Sequence, residues 1–432
     1  MRRTGLALGV LLAGCVAWFP ARAELSIDIT QGVADPVPIA IVPFQKATLA
    51  DGGFDVAAVV QRDLEGSGRF RAMARSKMTS LPTQAATVQA AEWKAAGNDY
   101  VAVGRLQADA NGQLGVECDL VNVITGQLLG GRHISATATS LRNAAHQIAD
   151  FIYEKITGTR GAFATRIAYV SVEGKAPAER YQLIVADADG ENPRIILDSR
   201  LPIMSPAWSP DGQWLAYVSF ENRVAAIYLQ RLRTGERRQI SARAGVNGAP
   251  AFSPDGTQLA LTLSGSAGNL DIYLLQLATQ QLTRLTDDPA VDTEPAWTAD
   301  GKSLYFTSDR AGSPQIYRLD IASRKIQRIT FGNPYNARPR LSPDGRQLAY
   351  MTQDGSNYRI AVLDLASGTQ RVLSKGSQDE APSFAPNGAT LIYAGREAGK
   401  GTLATISVDG LVSQRLHSDL GAVREPVWGP FQ

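Results

Sequence analysis

From Arg166 to the end of the chain, apolar and polar positions alternate in short runs broken by turn residues. Five runs begin with leucine: LAYVS at Leu215, LALTL at Leu259, LYFTS at Leu304, LAYMT at Leu348 and LIYAG at Leu391. A second set follows, AIYLQRL at Ala226, DIYLLQL at Asp271, QIYRLDI at Gln315 and RIAVLDL at Arg359. Period-two alternation, rich in β-branched and aromatic residues and bounded by Gly, Pro and Asp, predicts strands. Ahead of the leucine runs stands a recurring phrase: PAWSPDG at Pro206, PAFSPDG at Pro250, PAWTADG at Pro295, PRLSPDG at Pro339, PSFAPNG at Pro382 and a truncated PVWGP at Pro426. Its spacing of 43 to 45 residues marks a structural repeat.

Proline presets φ and glycine accepts a positive φ, so each Pro-Asp-Gly predicts a tight hairpin turn. Four strands per period make an antiparallel meander that cannot cover both of its own faces. Packed radially, about four to eight such units close a propeller. RIAYVS at Arg166 lacks the leading phrase, and PVWGP lacks a sequel. The two halves predict a sixth blade whose inner strand comes from the carboxyl terminus, with the propeller spanning 165–432.

Residues 24–160 do not repeat. PIAIVPF at Pro38 predicts a strand. FDVAAVVQRDLEGSG at Phe54 predicts an amphipathic helix stopped by Gly-Ser-Gly, and ATVQAAEWKAAGN predicts a second helix ending at Gly97. DYVAVGRLQ, QLGVECDLVNV and GQLLGGRHIS predict three strands. Leu141, Ala144, Ala145, Ile148 and Ile152 recur at helical spacing, which predicts a closing helix. The expected fold class is an α/β amino-terminal domain followed by an all-β six-bladed β-propeller, joined by a short link near 158–164.

The first residues change the picture of location. Arg2 and Arg3, the uncharged apolar run from Gly5 to Phe19, and Ala21-Arg22-Ala23 predict a signal peptide over 1–23. The run is too short for an ordinary membrane span. A soluble, exported mature protein in the periplasm is expected. Leu12-Ala13-Gly14-Cys15 also fits a lipoprotein cleavage site, although cleavage there leaves VAWFPARA ahead of the domain. Removal of residues 1–23 leaves Cys118 alone, in an alternating apolar run that predicts a core thiol rather than a nucleophile. Lys plus Arg is 43 and Asp plus Glu is 41, so nothing pulls the chain toward nucleic acid.

Catalytic signatures are missing from the sequence. His133, His146 and His417 have no paired Cys, His or carboxylate spacing, so no metal site and no cofactor are expected. SGSAG at Ser264 is not a nucleophile elbow. GREAGKGT at Gly395 is one residue short of a phosphate loop and carries Gly401 after its lysine. DADG at Asp187 lacks the first ligand of a calcium loop. What varies between repeats is the short segment before each Pro: Met204-Ser205, Asn247-Gly248-Ala249, Asp292-Thr293-Glu294, Asn336-Ala337-Arg338, Asp379-Glu380 and Arg424-Glu425. These reach one rim of the central channel, and loops on a rigid scaffold commonly carry binding. Asp292, Glu294 and Glu380 also leave open a propeller hydrolase or lyase acting on cell-wall saccharides.

Six copies of P-x-W-S-P-D-G-x-x-L-A-Y behind a small α/β domain resemble the TolB family of the Tol–Pal system. ELSIDITQGV from Glu24, NGAPAFSPDG from Asn247 and TEPAW from Thr293 are similar to that family's segments. The resemblance implies a monomeric periplasmic adaptor, not an enzyme, that serves outer-membrane integrity and its invagination at cell division. It implies that the propeller mouth binds the lipoprotein Pal through Val246, Asn247, Gly248, Ala249, Thr293 and Glu294, and the varied rim segments add Met204, Ser205, Asp292, Arg338, Glu380 and Glu425 as expected contacts. Val246 stands where the family often has a histidine. It implies that Glu24, Leu25, Ser26, Ile27, Asp28, Ile29, Thr30, Gln31, Gly32 and Val33 bind inner-membrane TolA, with other Tol–Pal components reached indirectly. The alternation of Leu25, Ile27 and Ile29 suits edge-strand addition to a partner or to the chain's own amino-terminal domain.

Overall fold

The computed structural model describes residues 27–31, 33–46, 53–108, 113–265, 268–397, 399–416 and 421–432. The leader over 1–23, Cys15, Glu24, Leu25, Ser26, Gly32 and His417 lie outside the described residues.

The amino-terminal domain is built on a mixed sheet. Its strands lie in the order Phe70–Ala72, Val37–Ile41, Tyr100–Ala108, Leu114–Asn122 and Gln127–Ala136. The first three are parallel and the last two antiparallel. Ile39, Ala40, Ile41 and Val42 are all fully buried, because both faces of this strand are covered. On one face, helices α1 (Val56–Gly66) and α3 (Leu141–Thr157) bring Val60, Leu64, Ile148 and Ile152 onto Ile39 and Ile41. On the other, the short helix α2 (Ala90–Ala95) sets Trp93 against Ala40, Val42, Val101 and Val103. Asp55 caps α1 by accepting the Ala58 N–H at 2.9 Å, and Gly158 ends α3 in the left-handed conformation. Cys118 is in this core, and burial pushes its thiol pKa up, so it is inert.

The propeller has six blades. Blade 1 pairs Ala422–Trp428 with Arg166–Glu173, followed by Arg180–Asp187 and Arg194–Ser199. Blades 2 to 6 begin with the inner strands Ile203–Trp208, Asn247–Phe252, Asp292–Trp297, Asn336–Leu341 and Glu380–Phe384. Each continues outward as an antiparallel meander. Each seam between neighbouring blades holds one apolar cluster. Between blades 1 and 2, for example, Val170 and Leu183 meet Leu215 and Tyr217. Between blades 6 and 1, Ile392 and Leu403 meet Ile167 and Tyr169. No blade has a closed core of its own, so ring closure is what buries every face.

The repeated phrase has a direct physical reading. In PAWSPDG, Ser209 Oγ donates to Asp211 at 2.5 Å and accepts the Trp214 N–H at 2.9 Å, while the Gln213 N–H reaches Asp211 at 3.0 Å. The same lattice recurs at Ser253–Asp255 and Ser342–Asp344. The tryptophans tie blades together. Trp208 Nε1 donates to the Val427 carbonyl of blade 1 at 3.3 Å, and Trp297 Nε1 to the Ala251 carbonyl of blade 3 at 3.0 Å.

The amino-terminal domain rests on the hairpin-turn face of the propeller, over blades 1 and 6. Asp150 of α3 accepts the Phe163 and Ala164 N–H groups at 2.7 and 3.2 Å, which fixes the link between domains. Arg69 pairs with Asp409 at 2.6 Å, and Arg142 bridges to Asp187 at 3.1 Å and to Asp189. GREAGKGT falls across the hairpin between Thr390–Glu397 and Lys400–Ser407, so it is turn chemistry. DADG likewise forms a blade turn whose carboxylates serve Arg142.

Candidate partner-binding site

The face opposite the amino-terminal domain is the channel mouth. Each inner strand enters there through a bulge, with the register shifting between Met204 and Ala207, Gly248 and Ala251, Thr293 and Ala296, Ala337 and Arg340, Glu380 and Ser383, and Arg424 and Val427. At each bulge the residue before the repeated proline has a positive φ: Ser205 51°, Ala249 43°, Glu294 57°, Arg338 58°, Ala381 54° and Glu425 48°. Non-glycine residues rarely adopt this conformation, which costs about 1–3 kcal/mol and concentrates at functional sites. A bulge re-aims its side chain. Here six bulges turn six side chains into one ring at the channel throat.

The sequence-predicted mouth residues divide by position along each strand. The first position is an anchor. Asn247 and Asp292 are buried, 1% and 0% exposed. Asn247 accepts from the Ser241 hydroxyl at 2.6 Å and donates to the Arg243 carbonyl at 2.7 Å. Asp292 is held by both oxygens on Arg310, at 2.9 and 2.8 Å. These two residues shape the loops rather than present themselves to solvent. The second position, Met204, Gly248, Thr293 and Glu380, faces the rim. The third is the throat: Ser205, Ala249, Glu294, Arg338 and Glu425.

Arg338 organises the throat. Its guanidinium lies 3.2 Å from Glu294, 3.4 Å from Glu425 and 3.9 Å from Glu380. Burial by itself would lower its pKa, but Glu425, Glu294 and Glu380 raise it, so it is a fixed cation. Glu294 also accepts the Thr307 hydroxyl at 2.9 Å and the Arg338 N–H at 3.0 Å, and Glu425 accepts the Ser205 N–H. The carboxylates that a hydrolase or lyase would need are thus each committed to an arginine. A glycosidase pair requires two carboxyl groups flanking open space.

Sequence reasoning named Met204 and Val246 but missed the rest of the apolar rim, Val291 and Phe331. Val246 is 42% exposed, and it is joined by Met204 at 41%, Val291 at 40% and Phe331 at 64%. Val291 and Phe331 lie outside the varied triplets, in the longer connections into blades 4 and 5. A signal was present: each is a large apolar residue among turn residues, in GNPYN and DPAVD contexts.

The amino-terminal segment lies elsewhere. Ile27–Gln31, which includes Ile27, Asp28, Ile29, Thr30 and Gln31, is an antiparallel fifth strand on blade 6. It pairs Ile27 with Leu416, Asp28 with Arg415, Ile29 with Gln414 and Gln31 with Ser413. Its edge-strand chemistry is used, but on the propeller and not on its own domain. Val33 follows, with its N–H 3.4 Å from the Gly68 carbonyl.

Folding also assembles a polar cluster that linear spacing concealed. His146 of α3 shares a 2.6 Å hydrogen bond with Asp63 of α1, and its Nε2 lies 3.8 Å from Asp187 of blade 1. Asp63, His146 and Asp189 bring ligand-type atoms within 4.8 Å of one another. Arg142 already supplies the positive charge there, bonded to Asp187 and Asp189. The cluster reads as a domain clamp.

Comparison with known proteins agrees with this architecture. A family model of the TolB beta propeller domain matches residues 153–432, and one of the TolB amino-terminal domain matches residues 25–129. The Tol-Pal system protein TolB of Bordetella pertussis is 44% identical over 444 residues, covering 100% of this chain and 97% of that protein. Its counterpart from Methylococcus capsulatus is 51% identical over 411 residues, covering 94% of this chain and 95% of that protein. The crystal structure of TolB from Acinetobacter baumannii superposes with a TM-score of 0.87 at 42% identity, covering 94% of this chain and 100% of that one. Two domains matched in the same order and over nearly their full length lead to one conclusion: this chain belongs to the TolB family of Tol–Pal system proteins.

Proposed function

We propose that the chain is a non-catalytic periplasmic adaptor. In this reading the propeller mouth seats the outer-membrane lipoprotein Pal, and the amino-terminal segment engages inner-membrane TolA. The pair of contacts supports outer-membrane integrity and its invagination during division. One observation carries the reading: Met204, Val246, Val291 and Phe331 expose large apolar side chains on four successive mouth loops around a charged throat. Large apolar side chains exposed on one face of a ring suit a macromolecular partner. Among the described residues no helix is long and apolar enough to cross a membrane, and the leader pattern supports export.

The strand Ile27–Gln31 supports a two-state role for the segment. It runs along the outer edge of blade 6, starting opposite Leu416 at the mouth-side end of that strand. An edge strand exchanges between docked and free states more readily than a central strand. Occupancy of the mouth would bias that equilibrium if the two states bind the lipoprotein differently.

The test is photo-crosslinking in intact cells from a reactive residue at Val246, with Leu411 on the opposite face as control. The expected product at Val246 is a peptidoglycan-associated lipoprotein, and Phe331→Asp abolishes it. Crosslinking to Leu411 but not Val246, or turnover of cell-wall saccharides lost in Glu294→Gln, overturns the reading.

A further inference from the structure

From the throat to the hairpin-turn face the channel forms a cavity of about 410 Å³, lined at its inner end by Glu294, Arg338 and Glu425. At the level of Ala207, Ala251, Ala296, Ser383 and Val427, blade 5 places Arg340. A ring of small and apolar side chains therefore carries one guanidinium, and that guanidinium lines the cavity. Its single hydrogen bond among the described residues is to its neighbour's backbone, the Pro339 carbonyl at 2.8 Å. No described carboxylate lies in ion-pair reach. The nearest acids, Glu294 and Glu425, are both held by Arg338. Burial lowers the Arg340 pKa, as expected for a cation without a contacting counter-charge. The opening is bordered by Pro210, Pro254, Pro343, Pro386 and Pro430, so the approach is apolar as well.

We infer that this cavity is a binding site for a monocarboxylate carried on an apolar body, with Arg340 as its recognition group. A guanidinium fork matches a carboxylate with two parallel hydrogen bonds. The alanine and proline walls accept the body. A dianion such as phosphate is disfavoured, because its second charge would face Glu294 and Glu425, and Arg338, the other cation of the lining, is already committed to them. The cavity reaches up to the throat, but Arg340 lies beyond it, and a ligand enters from the face opposite the mouth, beside the amino-terminal domain. Its source is either a small organic acid or the carboxyl end of a peptide, and the two share this chemistry.

The test is calorimetric titration of the full mature chain at neutral pH with benzoate, benzamide, inorganic phosphate and the dipeptide N-acetyl-glycyl-phenylalanine with a free carboxylate. Benzoate is expected to bind saturably and at least about tenfold more tightly than benzamide or phosphate, a difference set by one charge-assisted contact. Arg340→Ala installs the residue that Ala207, Ala251 and Ala296 supply in other blades. It is expected to keep the fold, raise the melting temperature and lose benzoate binding. Dipeptide binding tighter than benzoate identifies a chain end as the source, and the reverse identifies a small acid. Either result supports the site. Equal binding of benzoate and benzamide by the native chain, or benzoate binding unchanged in Arg340→Ala, overturns it. The native comparison decides the matter even if the variant fails to fold.

Discussion

Trp428 donates its indole N–H to the Thr165 hydroxyl at 2.8 Å, across 263 residues of chain. The contact joins the last strand of the propeller to the residue before its first. Around it, Ala422–Trp428 pairs with Arg166–Glu173, and the Gly429 N–H reaches the Arg166 carbonyl at 2.7 Å. Arg160 stacks on Phe431 at 3.7 Å. The ring is closed by this carboxyl-terminal strand.

Deleting residues 425–432 is therefore expected to destabilise the whole propeller and not only blade 1. The truncated chain should melt at least about 10 °C lower by calorimetry, since several kcal/mol of seam packing disappear together. Trp428→Phe keeps the ring but removes the donor, at an expected cost of about 1 kcal/mol in urea unfolding.

Arg338→Met leaves Glu294, Glu380 and Glu425 facing one another at the throat without their cation. A loss of about 2–4 kcal/mol is expected at pH 7, because breaking a buried pair strands the remaining charges. Urea unfolding of both chains measures this.

His146 couples the domains through Asp63 and Asp187. Burial alone would lower its pKa, but Asp63, Asp187 and Asp189 raise it to about 10. A folded pKa above the unfolded one means that the stabilisation is fully present below the unfolded value of about 6.5. It falls as pH rises from there and is lost through about 10. Thermal melts between pH 7 and 10 should show this decline, and His146→Gln should flatten it while lowering stability at pH 7.

Gly68 sits at the domain junction with φ +65°, and a Cβ there would lie 2.5 Å from Val412 Cγ1 of blade 6. Gly68→Ala is expected to loosen the junction at a cost of about 2 kcal/mol, from backbone strain and overpacking together. Calorimetry should then resolve two transitions where the native chain gives one.

Removing residues 24–33 uncovers the outer edge of blade 6. Hydrogen exchange should quicken for the amides of Ser413–Leu416 that bond to Ile27–Gln31, while the inner strands keep their protection.

Much of the fold was legible because its information is local. The Leu215, Leu259, Leu304, Leu348 and Leu391 runs became the second strands of blades 2 to 6, and the unpaired phrases at Arg166 and Pro426 became one blade. In the amino-terminal domain the helix expected from Phe54 runs from Val56 to Gly66. The one expected over ATVQAAEWKAAGN is an α-helix only over Ala90–Ala95, preceded by a 3-10 turn at Ala85–Thr87. The Phe70–Ala72 strand went unnoticed, because three residues show no periodicity. The site was less legible. Asn247 and Asp292 share a triplet with Ala249 and Glu294, yet the bulge buries the former pair and turns the latter into the throat.

Period, turn chemistry and alternation are properties of neighbouring residues, so the sequence alone determined a closed six-bladed ring with an α/β domain before it. Which edge Ile27–Gln31 would join, that Arg338 would gather three glutamates, that Arg340 would stand without an acid, and that His146 would meet Asp63 were decided only in three dimensions. Each depends on groups far apart in the chain, and distance, burial and charge between such groups exist only once the ring has closed.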